Sequence, residues 1–102
     1  MEEFRMTFPA SQRVRRRAHV GVVSSGDLEL LLEPGNADEA IVVVQTKVSG
    51  YRKIWETLLK RFFERHAFIV SVEIRDGGAT PGTVWLRLEQ GMELAVEDRA
   101  DE

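Results

Sequence analysis

Ser24-Ser25-Gly26-Asp27 is the stretch whose residue types and spacing could do chemistry. It sets two hydroxyls, a glycine and a carboxylate side by side between two apolar runs. Gly26 offers the positive φ that a tight turn needs, and Asp27 can hydrogen-bond its own backbone. Ser25 would then stand at a tip where another protein can reach it. No general base lies next to it in sequence, so nothing local would activate it as a nucleophile. These types in this order point to a serine that is modified rather than one that attacks. An ordinary turn serine is the plainer alternative.

The remaining reactive side chains form no second constellation. There are no cysteines, which excludes disulfides, zinc–thiolate sites and Cys nucleophiles. The two histidines, His19 and His66, lie far apart with no ligand-like spacing around them. Asp27, Asp76 or Glu89 would be the acid–base groups of an enzyme. No His, Cys or paired carboxylate accompanies them, so the chain is expected to be non-catalytic, with no metal.

Cations gather in two places. Arg13, Arg15, Arg16 and Arg17 crowd residues 11–17. Without interleaved aromatics they read as a solvated loop rather than a nucleic-acid surface. The alternative is pairing with phosphates or an acidic partner, which suits the guanidinium fork. Arg52 and Lys53 fall in the first turn of a predicted helix, where the macrodipole favours acids. Two exposed cations cost little in salt. The alternative is an anion site made with the free backbone N–H groups, suited to a ligand carrying several phosphates.

The elements that must position these groups follow from periodicity. Phe4 to Phe8 alternates and reads as a short strand stopped by Pro9. Val20 to Val23 and Leu28 to Glu33 read as a strand pair around the serine turn, with Leu28, Leu30 and Leu32 on one face. Ala40 to Val48 is a β-branched run suited to a central strand covered on both faces. A helix is expected from Gly50 to about His66, with Ser49 as its N-cap. Its core stripe would be Ile54, Leu58, Leu59, Phe62 and Phe63, bordered by Tyr51 and Trp55. Phe68 to Arg75 alternates as a strand. Asp76 to Gly82 reads as a loop closing a hairpin onto Thr83 to Glu89, where Val84, Leu86 and Leu88 oppose Trp85, Arg87 and Glu89.

Length and charge set the outer bounds. At 102 residues the chain has room for one domain, taken as 1–102 with a flexible acidic tail from about residue 94. Apolar residues make up 43% and charged residues 30%, ordinary for a globular domain. The net charge of −3 gives no global attraction to nucleic acid or to an anionic membrane. No signal peptide is visible and no apolar run is long enough to span a bilayer, so a cytoplasmic location is expected.

Two blocks carry a resemblance. Gly21-Val22-Val23 and Ser25-Gly26-Asp27-Leu28-Glu29 with Leu30-Leu31 resemble the carrier segment of the malonate decarboxylase acyl carrier (delta subunit) family, to which the citrate lyase carrier subunits are related. Asp76-Gly77-Gly78-Ala79-Thr80-Pro81-Gly82, followed by Leu86-Arg87-Leu88-Glu89-Gln90-Gly91, is similar to that family's C-terminal signature. Ser24 stands where the family commonly has a glycine, and Gly77 where it often has an aromatic residue. The resemblance implies that Ser25 carries 2′-(5″-phosphoribosyl)-3′-dephospho-CoA through a phosphodiester, with Ser24, Gly26 and Asp27 as the supporting turn. Acetyl or malonyl would be held as a thioester on its distal thiol. It also implies partners: acyl transferase and decarboxylase subunits of one complex, and a transferase that attaches the group. Arg15, Arg16, Arg17, Arg52 and Lys53 are then the possible phosphate contacts. An adaptor without a prosthetic group and a citrate-lyase-type carrier are the alternatives.

The element order expected from this reading is β, β-hairpin, β, α, β-hairpin. That is an α+β domain, one amphipathic helix on a mostly antiparallel sheet, and not a four-helix-bundle carrier.

Overall fold

A computed structural model describes residues 1–96. Strands β1 (Glu2–Pro9), β2 (Gln12–Arg13), β3 (Ala18–Gly21), β4 (Leu28–Pro34) and β5 (Glu39–Thr46) precede helix α1 (Arg52–Arg65). Strand β6 (Phe68–Asp76) and helix α2 (Pro81–Val96) complete the described chain. The order across the sheet is β1-β5-β6-β4-β3, with the short β2 added to β6. The molecule is α+β and not a helical bundle, and its sheet is mixed. Antiparallel pairs β1–β5, β4–β6 and β3–β4 flank a central β5–β6 pair that is parallel. A parallel neighbour needs a crossover connection, and α1 supplies it.

Register turns alternation into one buried face. Phe4 lies opposite Val44, Val44 opposite Ile74, Ile74 opposite Leu30, and Leu30 opposite Val20. All five are buried, and the next row adds Val42, Val72 and Leu32. Each such side chain contributes on the order of 1.5–3 kcal/mol. Helix α1 packs towards β1 and helix α2 towards β3 and β4, so together they cover this face. The other face carries Ile41 and Val43 half-buried and is laced with charge. There Arg75 lies 3.1 Å from Glu73 and 3.8 Å from Glu29, and His19 Nε2 is 2.6 Å from Glu29 Oε2. Strand β5 is therefore central but covered on one face only, not on both.

Helix α1 corrects the expected cap. Tyr51, not Ser49, is the N-cap residue, with no side-chain cap bond, and the helix starts at Arg52. Leu59, Phe62 and Phe63 are buried as the spacing predicts and Leu58 partly so, whereas Trp55, expected at the border, is buried, and Ile54, expected in the stripe, is nearly half exposed like Tyr51. Phe63 stacks on Phe8 with centroids 5.3 Å apart, and Phe62 meets Trp85 edge-on at 5.1 Å.

The larger correction is α2. Thr83 to Glu89 is not a strand but lies within a sixteen-residue helix, so the expected second hairpin does not form among the described residues. Thr80 caps it, accepting the Thr83 N–H on its Oγ1 at 3.2 Å, and Pro81 occupies the first helical position. Val84, Leu88, Met92 and Ala95 recur at helical spacing and are buried, while Leu86 is 52% exposed. Glu93 to Val96, where the tail was expected to begin, are still helical. The rest of that expected tail, 97–102, lies outside the described residues.

Candidate functional site

The serine turn connects β3 to β4, and those strands pair antiparallel as read from the sequence. The link is longer than expected: Val22 and Val23 leave the ladder, so six residues, 22–27, form the loop. Ser24, Ser25 and Gly26 are exposed, and Gly26 takes the expected positive φ of 76°. The Asp27 N–H donates to Ser24 O at 3.1 Å, closing the turn. Asp27 Oδ1 accepts the Leu28 N–H at 2.7 Å. Among the described residues the Ser25 hydroxyl makes no hydrogen bond, whereas Ser24 Oγ leans towards Val22 O at 3.5 Å. Among the described residues no histidine or carboxylate hydrogen-bonds Ser25.

What holds the turn comes from far along the chain. Arg87, on the first half of α2, grips Asp27 with two parallel bonds. Its Nε donates to Oδ1 at 3.2 Å and its Nη2 to Oδ2 at 2.8 Å. Such forked pairs fix geometry as well as adding energy. The Arg87 hydrogen bond, ahead of the Leu28 N–H, holds the Asp27 carboxyl below its ordinary range, and Asp27 raises Arg87 in return. The 76–79 segment makes the second support. Gly77 N–H donates to Asp27 O at 2.8 Å, and Gly26 N–H donates to Gly77 O at 3.1 Å. A Cβ on Gly77 would lie 2.1 Å from Ser24 O, so only glycine allows this approach. Asp76 braces the segment from below. It is buried, accepts Thr46 Oγ1–H at 2.8 Å, and accepts the Ala79 N–H at 2.9 Å.

The two sequence blocks are thus one site, since the second supplies Gly77 and Arg87 to the turn in the first. Sequence reasoning missed Arg87, which it set on a strand face. The signal that could have found it is the Thr80-Pro81 helix start, which turns the following residues into a helix.

The predicted cations separate. The serine loop sits at one end of the sheet, with the ends of β5 and β6 and the starts of α1 and α2. Register places Leu28, Asp76 and Thr46 in one row there. Arg52 and Lys53 share this end. Arg52 also lies 3.9 Å from Glu56 and over the Phe4 ring at 5.2 Å. Arg15, Arg16 and Arg17 are at the opposite end of the β3–β4 ladder. There the N–H groups of Arg15 and Arg16 donate to Ala95 O at 3.0 and 3.1 Å, closing the last turn of α2. Cations at a helix C-terminus complement its dipole. Arg17 is 3.7 Å from Glu33. Glu89 is exposed, and Asp27 and Asp76 are both engaged, so the three carboxylates form no acid–base pair.

Known proteins resemble this chain over nearly its whole length. Residues 15–95 match the family model described as malonate decarboxylase delta subunit (MdcD). The chain is 48% identical over 99 residues to the malonate decarboxylase acyl carrier protein of Pseudomonas putida (strain GB-1), covering 96% of this chain and 100% of that protein. It is 49% identical, with the same coverage, to the protein of that name from Stutzerimonas stutzeri (strain A1501). A chain in the crystal structure of a Pseudomonas malonate decarboxylase hetero-tetramer in complex with malonate superimposes with a TM-score of 0.88. That match is 48% identical and covers 93% of this chain and 99% of the other.

Proposed function

The chain belongs to the malonate decarboxylase delta-subunit family, and from that membership we propose that it is the acyl carrier subunit of a malonate decarboxylase, with Ser25 as its loading point. The group attached there would be 2′-(5″-phosphoribosyl)-3′-dephospho-CoA. When bound, it supplies a distal thiol that holds acetyl or malonyl as a thioester, a linkage that eases loss of carbon dioxide. The observation that carries this reading is an exposed, unbonded Ser25 hydroxyl on a turn pinned by Arg87 and Gly77.

The residues present suit such a group. Ser25 is exposed, and a Cβ built on the neighbouring Gly26 meets nothing within 4 Å, so a bulky attachment has room. The carboxylate two residues on, Asp27, is committed to Arg87 and does not compete for the hydroxyl proton. Deprotonation of Ser25 is then work for the attaching enzyme, and this chain contributes a fixed, reachable oxygen. Both helices start at this end, and their N-termini favour a phosphate-bearing arm over a neutral one. Acyl transfer and decarboxylation belong to other subunits. The carrier's part is to tether the acyl group and raise its local concentration at their sites.

Intact mass and peptide mapping test this on protein produced with its neighbouring subunits and attaching enzyme. A gain matching phosphoribosyl-dephospho-CoA is expected, abolished in Ser25→Ala and kept in Ser24→Ala. An unmodified mass beside a competent transferase would overturn the reading in favour of an adaptor.

A further inference from the structure

The segment that supports the serine turn has a second side. Gly77 touches the turn, and the next residue, Gly78, already lines a cleft of about 300 Å³ between this segment and α1. Clefts that take small ligands span roughly 300–1,000 Å³. Two aromatic side chains line it, Trp55 buried and Tyr51 47% exposed at the mouth. Its floor holds the buried Asp76 carboxylate. Two of that carboxylate's roughly four acceptor positions are filled, by Thr46 and Ala79, and among the described residues the others remain for a donor. Past Ile54 the cleft opens into a groove of about 530 Å³ lined in part by Lys53 and Arg61.

An aromatic slot with a carboxylate acceptor beneath it and two cations beyond it has the chemistry of a purine nucleotide site. The flat faces of the base suit Tyr51 and Trp55. The exocyclic amine of adenine is a donor suited to Asp76, and the phosphates suit Lys53 and Arg61. We propose that the cleft between α1 and the 76–81 segment is an adenine-nucleotide site that holds the base of the CoA-derived group carried on Ser25. This rests on the reading of Ser25 as the loading point. A group tethered one segment away is present at an effective concentration on the order of millimolar, so even a site of millimolar affinity is substantially filled. The arm would then rest against the carrier rather than trail freely between partners.

The test is arranged so that attachment and nucleotide binding fail separately. Isotope-labelled Ser25→Ala protein, which cannot be loaded, is titrated by NMR with 3′-dephospho-CoA to a few millimolar, and in parallel with pantetheine. Saturable shifts are expected at the Gly78 and Ala79 amides and the Trp55 indole N–H with dephospho-CoA, and not with pantetheine. A Lys53→Glu and Arg61→Glu double variant should weaken binding about tenfold, the size expected for reversing two rim charges. Loaded wild-type protein, verified by mass, should differ from unloaded protein at the same signals. Absent shifts, equal shifts with pantetheine, or shifts confined to Arg15–Arg17 would overturn the proposal. An unchanged mass would instead count against Ser25 as the loading point.

Discussion

One guanidinium decides how well the serine turn is held. Arg87 reaches both oxygens of Asp27 and, through Nη1, Gln90 Oε1 at 3.1 Å. Lysine cannot reproduce that planar fork. Arg87 lies outside the buried stripe of α2, so Arg87→Ala should leave the core intact and free the 22–27 loop. Hydrogen exchange should then quicken at the Gly26 and Gly77 amides while β4 and β6 stay protected, and loading at Ser25 should slow. Arg87→Lys should recover this only in part. Unchanged exchange at both glycines would mean that the backbone alone fixes the turn. The pair also sets a pH dependence. The folded Asp27 carboxyl titrates below its ordinary value. Its contribution is therefore complete above about pH 4, the ordinary carboxylate value, and is lost as pH falls through the lower folded value. An NMR titration of the Asp27 carboxyl carbon should give a midpoint below about 4 that rises towards it in Arg87→Ala. A wild-type midpoint at or above the ordinary value would contradict the geometry.

Helix α2 shows where the sequence was legible and where it was not. α1 was readable because Trp55, Leu59, Phe62 and Phe63 keep their period over its whole length. Val84, Leu86 and Leu88 alternate as a strand does, Val84 and Leu88 alone also fit a helix, and only Met92 and Ala95 extend the helical spacing far enough to decide. The turn itself was written in local types, Ser-Gly-Asp. Its support was not, because Arg87 stands 60 residues from Asp27 and meets it only once α2 is a helix. Strand β2 is two residues long and has no period to read. The parallel β5–β6 pair leaves the same alternation as an antiparallel one, so residue pattern alone could not distinguish them. How closely α2 packs on the sheet follows from Gly91, which faces β4. A Cβ there would lie 2.8 Å from Leu32 Cδ1, and Leu32 is itself buried. Gly91→Val should cost about 1–3 kcal/mol through overpacking, read as a lowered denaturation midpoint with an unchanged slope. A wild-type midpoint in that variant would show that Leu32 can swing aside.

At the scale of the whole molecule the two ends differ in kind. One end gathers the serine turn, the C-terminal ends of the parallel strands and the N-termini of both helices; the other holds the arginine run and the C-terminus of α2. Where parallel strands end and helices begin, backbone N–H groups and positive dipole ends converge, which is where α/β sheets receive ligands. The net charge of −3 therefore misleads as a guide to binding, because the field that an arm would meet is local. A phosphate-bearing arm fixed at Ser25 should accordingly stabilise the fold. An anion near a helix N-terminus contributes about 0.3–1 kcal/mol at low salt. For a chain of this size each kcal/mol corresponds to roughly 4–8 °C. Loaded protein should thus melt about 1–8 °C above unloaded protein at low ionic strength. Near 1 M salt, where the Debye length falls to about 3 Å, most of that gain should vanish. Calorimetry on mass-verified samples at both salt concentrations decides it. A gain that persists undiminished in salt would assign the stabilisation to the base packed in the cleft beside α1 rather than to the helix ends, and a loss on loading would show that the arm strains the turn.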